Sequence, residues 1–106
     1  MAGASSTGLN PNRKAIIAGK VSVSTVAQTL SAHIGTTINI PDGFAIVLTC
    51  IAAKIYIAGS VADLGSAATR IELNSNGSIS YQVTSTDAIY VCSNASTKDL
   101  GYTVEI

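Results

Sequence analysis

RIELNSNGSISYQVTSTDAIYVC, residues 70–92, decides the fold class. Ile71 and Leu73 flank Glu72, while Ile79, Tyr81 and Val83 alternate with Ser80 and Gln82. Apolar residues at every second position mark strands with one buried face. Asn76-Gly77 stands between the two runs. Asn and Gly both tolerate positive φ, as a tight hairpin turn requires. The stretch is therefore expected to form a β-hairpin, then a turn over residues 84–87 and a buried strand over residues 88–92.

The same grammar extends in both directions. Val21 and Val23 alternate with Ser22 and Ser24, so residues 14–30 are expected to hold a first strand or two. Ile38 and Ile40 alternate with Thr37 and Asn39, which predicts a strand over residues 36–40. Pro41-Asp42-Gly43 breaks it, because Pro fixes φ and Gly supplies positive φ. FAIVLTCI, residues 44–51, is apolar almost throughout and suits a central strand covered on both faces. KIYIA, residues 54–58, makes the next strand, and residues 59–68 read as a small-residue loop. Residues 93–99 form a polar loop. Leu100, Tyr102, Val104 and Ile106 then alternate with Gly101, Thr103 and Glu105 in a final strand.

Composition agrees. Ile, Val and Thr fill 13, 8 and 11 of the 106 positions. These residues are stiff at χ1 and favour a pleated sheet over a helix. The fold class is all-β: an antiparallel β-sandwich or small barrel, jelly-roll-like, of seven or eight short strands. One domain is expected over residues 14–106. Residues 1–13 carry Gly, Ser, Ala, Thr, Asn and Pro with one leucine, Leu9, and read as a flexible N-terminal arm.

Charge narrows the function. Charged residues are 11% of the chain, less than half the usual share, and the net charge is zero. A phosphate backbone needs a basic stripe, so nucleic acid is not an expected partner. A neutral surface resists self-association poorly, so either Ser and Thr coat a monomer or the surface is buried in an assembly. Arg13, Lys14 and Lys20 form a local excess that could meet an acidic neighbour or stay solvated. Leu9, Arg13 and Lys14 are the candidate interaction residues. The apolar run 44–59 is too short to span a bilayer and contains Lys54, so no membrane is expected. The opening residues lack the apolar core of a secretory signal, which implies synthesis in a cytoplasm.

Candidates for chemistry each have a plain reading. His33 has no metal-ligand partner by spacing and reads as a surface or turn residue. Cys50 and Cys92 sit in strand-like runs without a CxxC or Cys-His neighbour, and read as two buried thiols, with a disulfide the alternative. Asp42, Asp63, Asp87 and Asp99 each fall in a turn-like stretch, where Asp bonds its own backbone. The tyrosines at 56, 81, 90 and 102 could offer sugar platforms, but all four fall inside strands. No enzyme activity, cofactor or metal is expected.

The layout of residues 20–106 resembles small structural proteins of tailed-phage virions, head decoration or cement proteins among them. The resemblance lies in a strand ending IPDG, an IYIAGS strand, an IEL…GSIS pair and an AIYV strand. It implies a subunit on the outside of a virion capsid that clamps major capsid proteins together, as a homotrimer at three-fold positions. It carries over no catalytic residue. A tail, fibre or connector part is the neighbouring reading, and a glycan-binding module is another.

Overall fold

A computed structural model describes residues 16–105. Residues 1–13, and with them Leu9 and Arg13, lie outside the described residues, as does Lys14. The strands are β1 (Ile16–Val23), β2 (Gln28–Thr29), β3 (Ile46–Cys50) and β4 (Ile55–Ala58). They continue with β5 (Ile71–Leu73), β6 (Ser78–Tyr81), β7 (Tyr90–Ser93) and β8 (Lys98–Glu105). Two helices, α1 (Leu30–Ile34) and α2 (Val61–Leu64), and a 3₁₀ turn at Thr86–Ala88 complete the elements.

The eight strands form two four-stranded antiparallel sheets. Sheet 1 runs β1-β8-β3-β6 and sheet 2 runs β2-β7-β4-β5. The architecture is a β-sandwich, and the sheets do not close into a barrel. The pairings nest: β4 with β5, β3 with β6, β2 with β7, β1 with β8. The chain thus doubles back once, between β4 and β5, and each later strand returns beside an earlier one.

Alternation builds the core. Ile46, Leu48 and Cys50 of β3 face inward with Leu100 and Val104 of β8. Ile55 and Ile57 of β4 and Val91 of β7 face them from sheet 2. All are essentially without solvent exposure. Removing one such side chain, as in Leu48→Ala, costs about 2–5 kcal/mol.

Several expectations are corrected. The Asn76-Gly77 segment is not a hairpin turn, because β5 and β6 lie in different sheets. A hairpin turn of that kind needs positive φ at two successive positions. Here Asn76 has φ 66, Gly77 lacks positive φ, and the Gly77 N–H closes the turn on the Asn74 carbonyl. Cys50 pins the turn to the end of β3, donating to Gly77 and accepting from Asn76. The segment is a corner that carries the chain from sheet 2 to sheet 1.

Residues 36–40 do not form a strand either. A single bridge joins Asn39 to Ser85, flanked by Ile40 N–H to Thr84 and Thr86 N–H to Ile38. The alternation of Ile38 and Ile40 reflects a segment that packs against the core without entering a sheet. β3 is central, as expected, but its outer residues Val47 and Thr49 are only half-buried, so it is covered on one face. Asp99 belongs to β8, opposite Ser22, rather than to a loop.

Residues 59–68 contain α2. Ser60 caps it by accepting from the Asp63 N–H. The helix packs against β4 and β7, so it covers part of the outer face of sheet 2, and its Leu64 is buried. Likewise, Thr29 caps α1 at its start and Gly35, at φ 92, ends it.

Candidate functional site

An open cleft lies between the edge strands β5 and β6. β5 starts at Ile71 and β6 ends at Tyr81, so these edge strands open at the end remote from the Asn76 corner. Ile57 and Ile71 are a cross-strand pair on the inner face. Ile57 is covered, but Ile71, at the start of β5, is 46% exposed. Tyr81, Val83, Ala88 and Ile89 line the other walls of a cleft of about 330 Å³.

This mouth is apolar by construction. Among the described residues no charged side chain lines it. The Thr69 hydroxyl on its rim already donates to the Asp63 carbonyl at 2.8 Å. Burial pushes the Tyr81 phenol above its ordinary pKa, so it is neutral across the physiological range. The cleft therefore suits an uncharged apolar group, such as a side chain presented by a partner.

A polar cluster lies on the outer face of sheet 2. The Arg70 guanidinium stacks 3.8 Å from the centre of the Tyr56 ring. Its Nε and Nη2 donate to Glu72 Oε2 at 3.2 and 3.1 Å, and Nη1 donates to the Leu64 carbonyl at 3.1 Å. Lys54 Nζ stands 3.4 Å from the other Glu72 oxygen. Arg70 thus ties α2 to β5. Its hydrogen bond, with help from Lys54, holds the Glu72 carboxyl below the usual carboxylate range. A carboxylate held ionised by two cations is a poor proton donor, so the cluster serves as a clasp.

The remaining candidates are held within the fold. His33 sits in the last turn of α1, half-buried rather than on a free surface or in a turn. Its Nε2 donates to the Val91 carbonyl at 2.8 Å, which leaves Nδ1 to accept from the Gln28 amide at 3.3 Å. Cys50 and Cys92 are buried free thiols, each raised above its ordinary pKa by burial. Cys50 faces the core, whereas Cys92 pairs across from Tyr56 on the opposite, outer face of sheet 2. Their layers explain why the two do not meet. Asp87 accepts from the Thr37 hydroxyl at 3.2 Å.

All four tyrosines are half-buried. Arg70 covers the Tyr56 ring, Tyr81 lines the cleft, Tyr90 is half-buried, and Tyr102 lies on the inner face over Gly19. Among the described residues no three His, Cys, Asp or Glu side chains gather as metal ligands, and no helix is long and apolar enough to cross a membrane. Sequence reading did not single out the cleft. Ile71 and Val83 look like ordinary inward strand residues, and only their place at the open end of the β5 and β6 edges makes them a site. Compared with known proteins, the chain matches no family model, no curated protein and no solved structure.

Proposed function

We propose that this chain is a non-catalytic structural module that docks onto other subunits of a large assembly, of the kind built into virions. The observation that carries the reading is the uncharged mouth between β5 and β6, where Ile71 stands 46% exposed. An apolar opening of this kind marks a contact site, since water gains nothing from it. The chain's 11% charged content supports the same reading, because broad subunit contacts need little charge.

The nested strand order, β1-β8-β3-β6 over β2-β7-β4-β5, is that of a double-sheet jelly roll. This order serves both viral capsid and lectin domains. Arg70 over the Tyr56 ring counts against sugar stacking at that tyrosine, because stacking a sugar needs a bare ring face. A head-decoration subunit, trimeric on major capsid proteins, is the narrower form that the resemblance of residues 20–106 supports. A tail, fibre or connector part fits the same mouth.

Quantitative mass spectrometry of particles purified from the chain's source tests the proposal. Stoichiometric incorporation is expected. Hundreds of copies point to the shell, and about six or twelve, as cyclic symmetry imposes, to a tail or connector. Absence from particles overturns the reading. So does saturable binding on a glycan array that substitution of one of the four tyrosines by Ala abolishes.

A further inference from the structure

We infer that β1 is an interface strand, pairing edge to edge with β1 of a second copy of this chain. The two sheets have four edges: β1, β6, β2 and β5. Three are blunted by length, at 4, 2 and 3 residues, whereas β1 runs for 8. Among the described residues its one strand neighbour is β8. A long open edge is a template for another strand, and proteins that must stay single guard it.

The ladder shows which backbone groups point outward. Ile51 N–H donates to the Asp99 carbonyl at 3.1 Å, continuing the β3–β8 register. Backbone direction alternates in an antiparallel ladder. Asp99, Gly101 and Thr103 therefore turn towards β3, and Leu100, Tyr102 and Val104 turn towards β1. Their β1 partners are Val21, Gly19 and Ile17. That leaves the N–H and C=O groups of Ile16, Ala18, Lys20 and Ser22 aimed at the open edge. All four side chains are exposed, and Lys20 is the single charge among them.

The strand complements itself. Paired strands keep side chains on matching faces, so an antiparallel copy must align residues of the same parity. A two-fold axis at Gly19 sets Ile16 opposite Ser22 of the second copy, Ile17 opposite Val21, and Ala18 opposite Lys20. Gly19 then meets Gly19 at the close, non-hydrogen-bonded spacing of about 4.5 Å. A two-fold axis at Lys20 would oppose lysine to lysine, which is unfavourable. Within the fold, a Cβ at Gly19 would stand 2.8 Å from the Tyr102 hydroxyl, so a larger residue there requires the Tyr102 ring to shift. The other edges are too short to match β1, so the complementary partner is a second β1. The product is a two-fold dimer with a continuous eight-stranded sheet, joined by about eight backbone hydrogen bonds. This inference does not depend on the cleft, and it sets a two-fold dimer against the trimeric form of the assembly proposal, so that the oligomeric state separates the two.

Light scattering and hydrogen exchange on the full chain, over a range of concentrations, test it. A dimer is expected, with the Ala18, Lys20 and Ser22 amides slowing about tenfold or more as it forms. The Ile17, Gly19 and Val21 amides, already bonded to β8, should not change. Ala18→Pro removes an outward donor while sparing the β8 ladder, and should weaken the dimer at least about tenfold. Ala18→Lys, which opposes Lys20 of the second copy, should do the same without restricting φ. A monomer at every concentration overturns the inference, whether those amides exchange freely or are protected from within the chain. So does a trimer, or a dimer in which Ala18 and Lys20 still exchange quickly.

Discussion

Thr86 is the residue through which two separated turns are joined. It is buried at 0% exposure, so its hydroxyl has no recourse to water. Oγ1 accepts from the Ile38 N–H at 3.0 Å and shares a hydrogen bond of 2.6 Å with the buried Ser31 hydroxyl. Thr86→Val keeps the volume but strands both partners, and should cost about 1–3 kcal/mol in chemical denaturation. A loss below about 0.5 kcal/mol would show that the partners find replacements. Glu72 gives a second prediction, in pH. Its carboxyl is held low in the folded chain by the Arg70 hydrogen bond. Its contribution is therefore complete above the unfolded pKa and disappears as pH falls through the lowered folded value. The melting temperatures of the native chain and Glu72→Gln should differ at neutral pH and converge as pH falls through and below the ordinary carboxylate range. A difference that is constant with pH would refute this.

Among the elements, the Asn74–Gly77 corner shows where local reading stops. Turn chemistry at Asn76-Gly77 announces a reversal, and a reversal is present. Whether the strands then pair with each other or cross to opposite sheets depends on β3 and β4, which are distant in sequence. β1, β4 and β8 were legible because period-two alternation survives in them, with Val21, Ile57 and Leu100 on the covered face. α1 and α2 were not, because helices of 5 and 4 residues are too short for a 3.6-residue period to appear. The cleft was illegible for a different reason: its walls, Ile57 and Ile71 against Tyr81, Val83 and Ile89, are brought together from segments distant in sequence. The corner itself makes a prediction. Asn76 holds φ 66, a region that β-branched residues tolerate poorly. Asn76→Val should cost about 1–2 kcal/mol, whereas Asn76→Gly should stay within a few tenths. Thermal melts of the two variants decide it, and equal losses would mean that the Asn side chain, not its backbone, holds the corner.

For the whole molecule, the decisive property is how little charge it carries. With 6 cations against 6 anions over 106 residues, no long-range field steers or repels a second copy. Three of those charges, Lys54, Arg70 and Glu72, are already tied together on sheet 2. The contacts available for association are backbone groups along β1 and apolar groups at the mouth, neither of which a salt atmosphere screens appreciably. Self-association should therefore change by no more than about twofold between low and high salt, where a surface run by ion pairs would weaken severalfold. The one countervailing charge is Lys20, which pairs opposite Ala18 in the β1 register and so meets no anion whose screening could matter. Sedimentation equilibrium in a series of sodium chloride concentrations measures this directly. A steep loss of association with salt would place the contact on charged residues, and would move the interface away from both the β1 edge and the mouth.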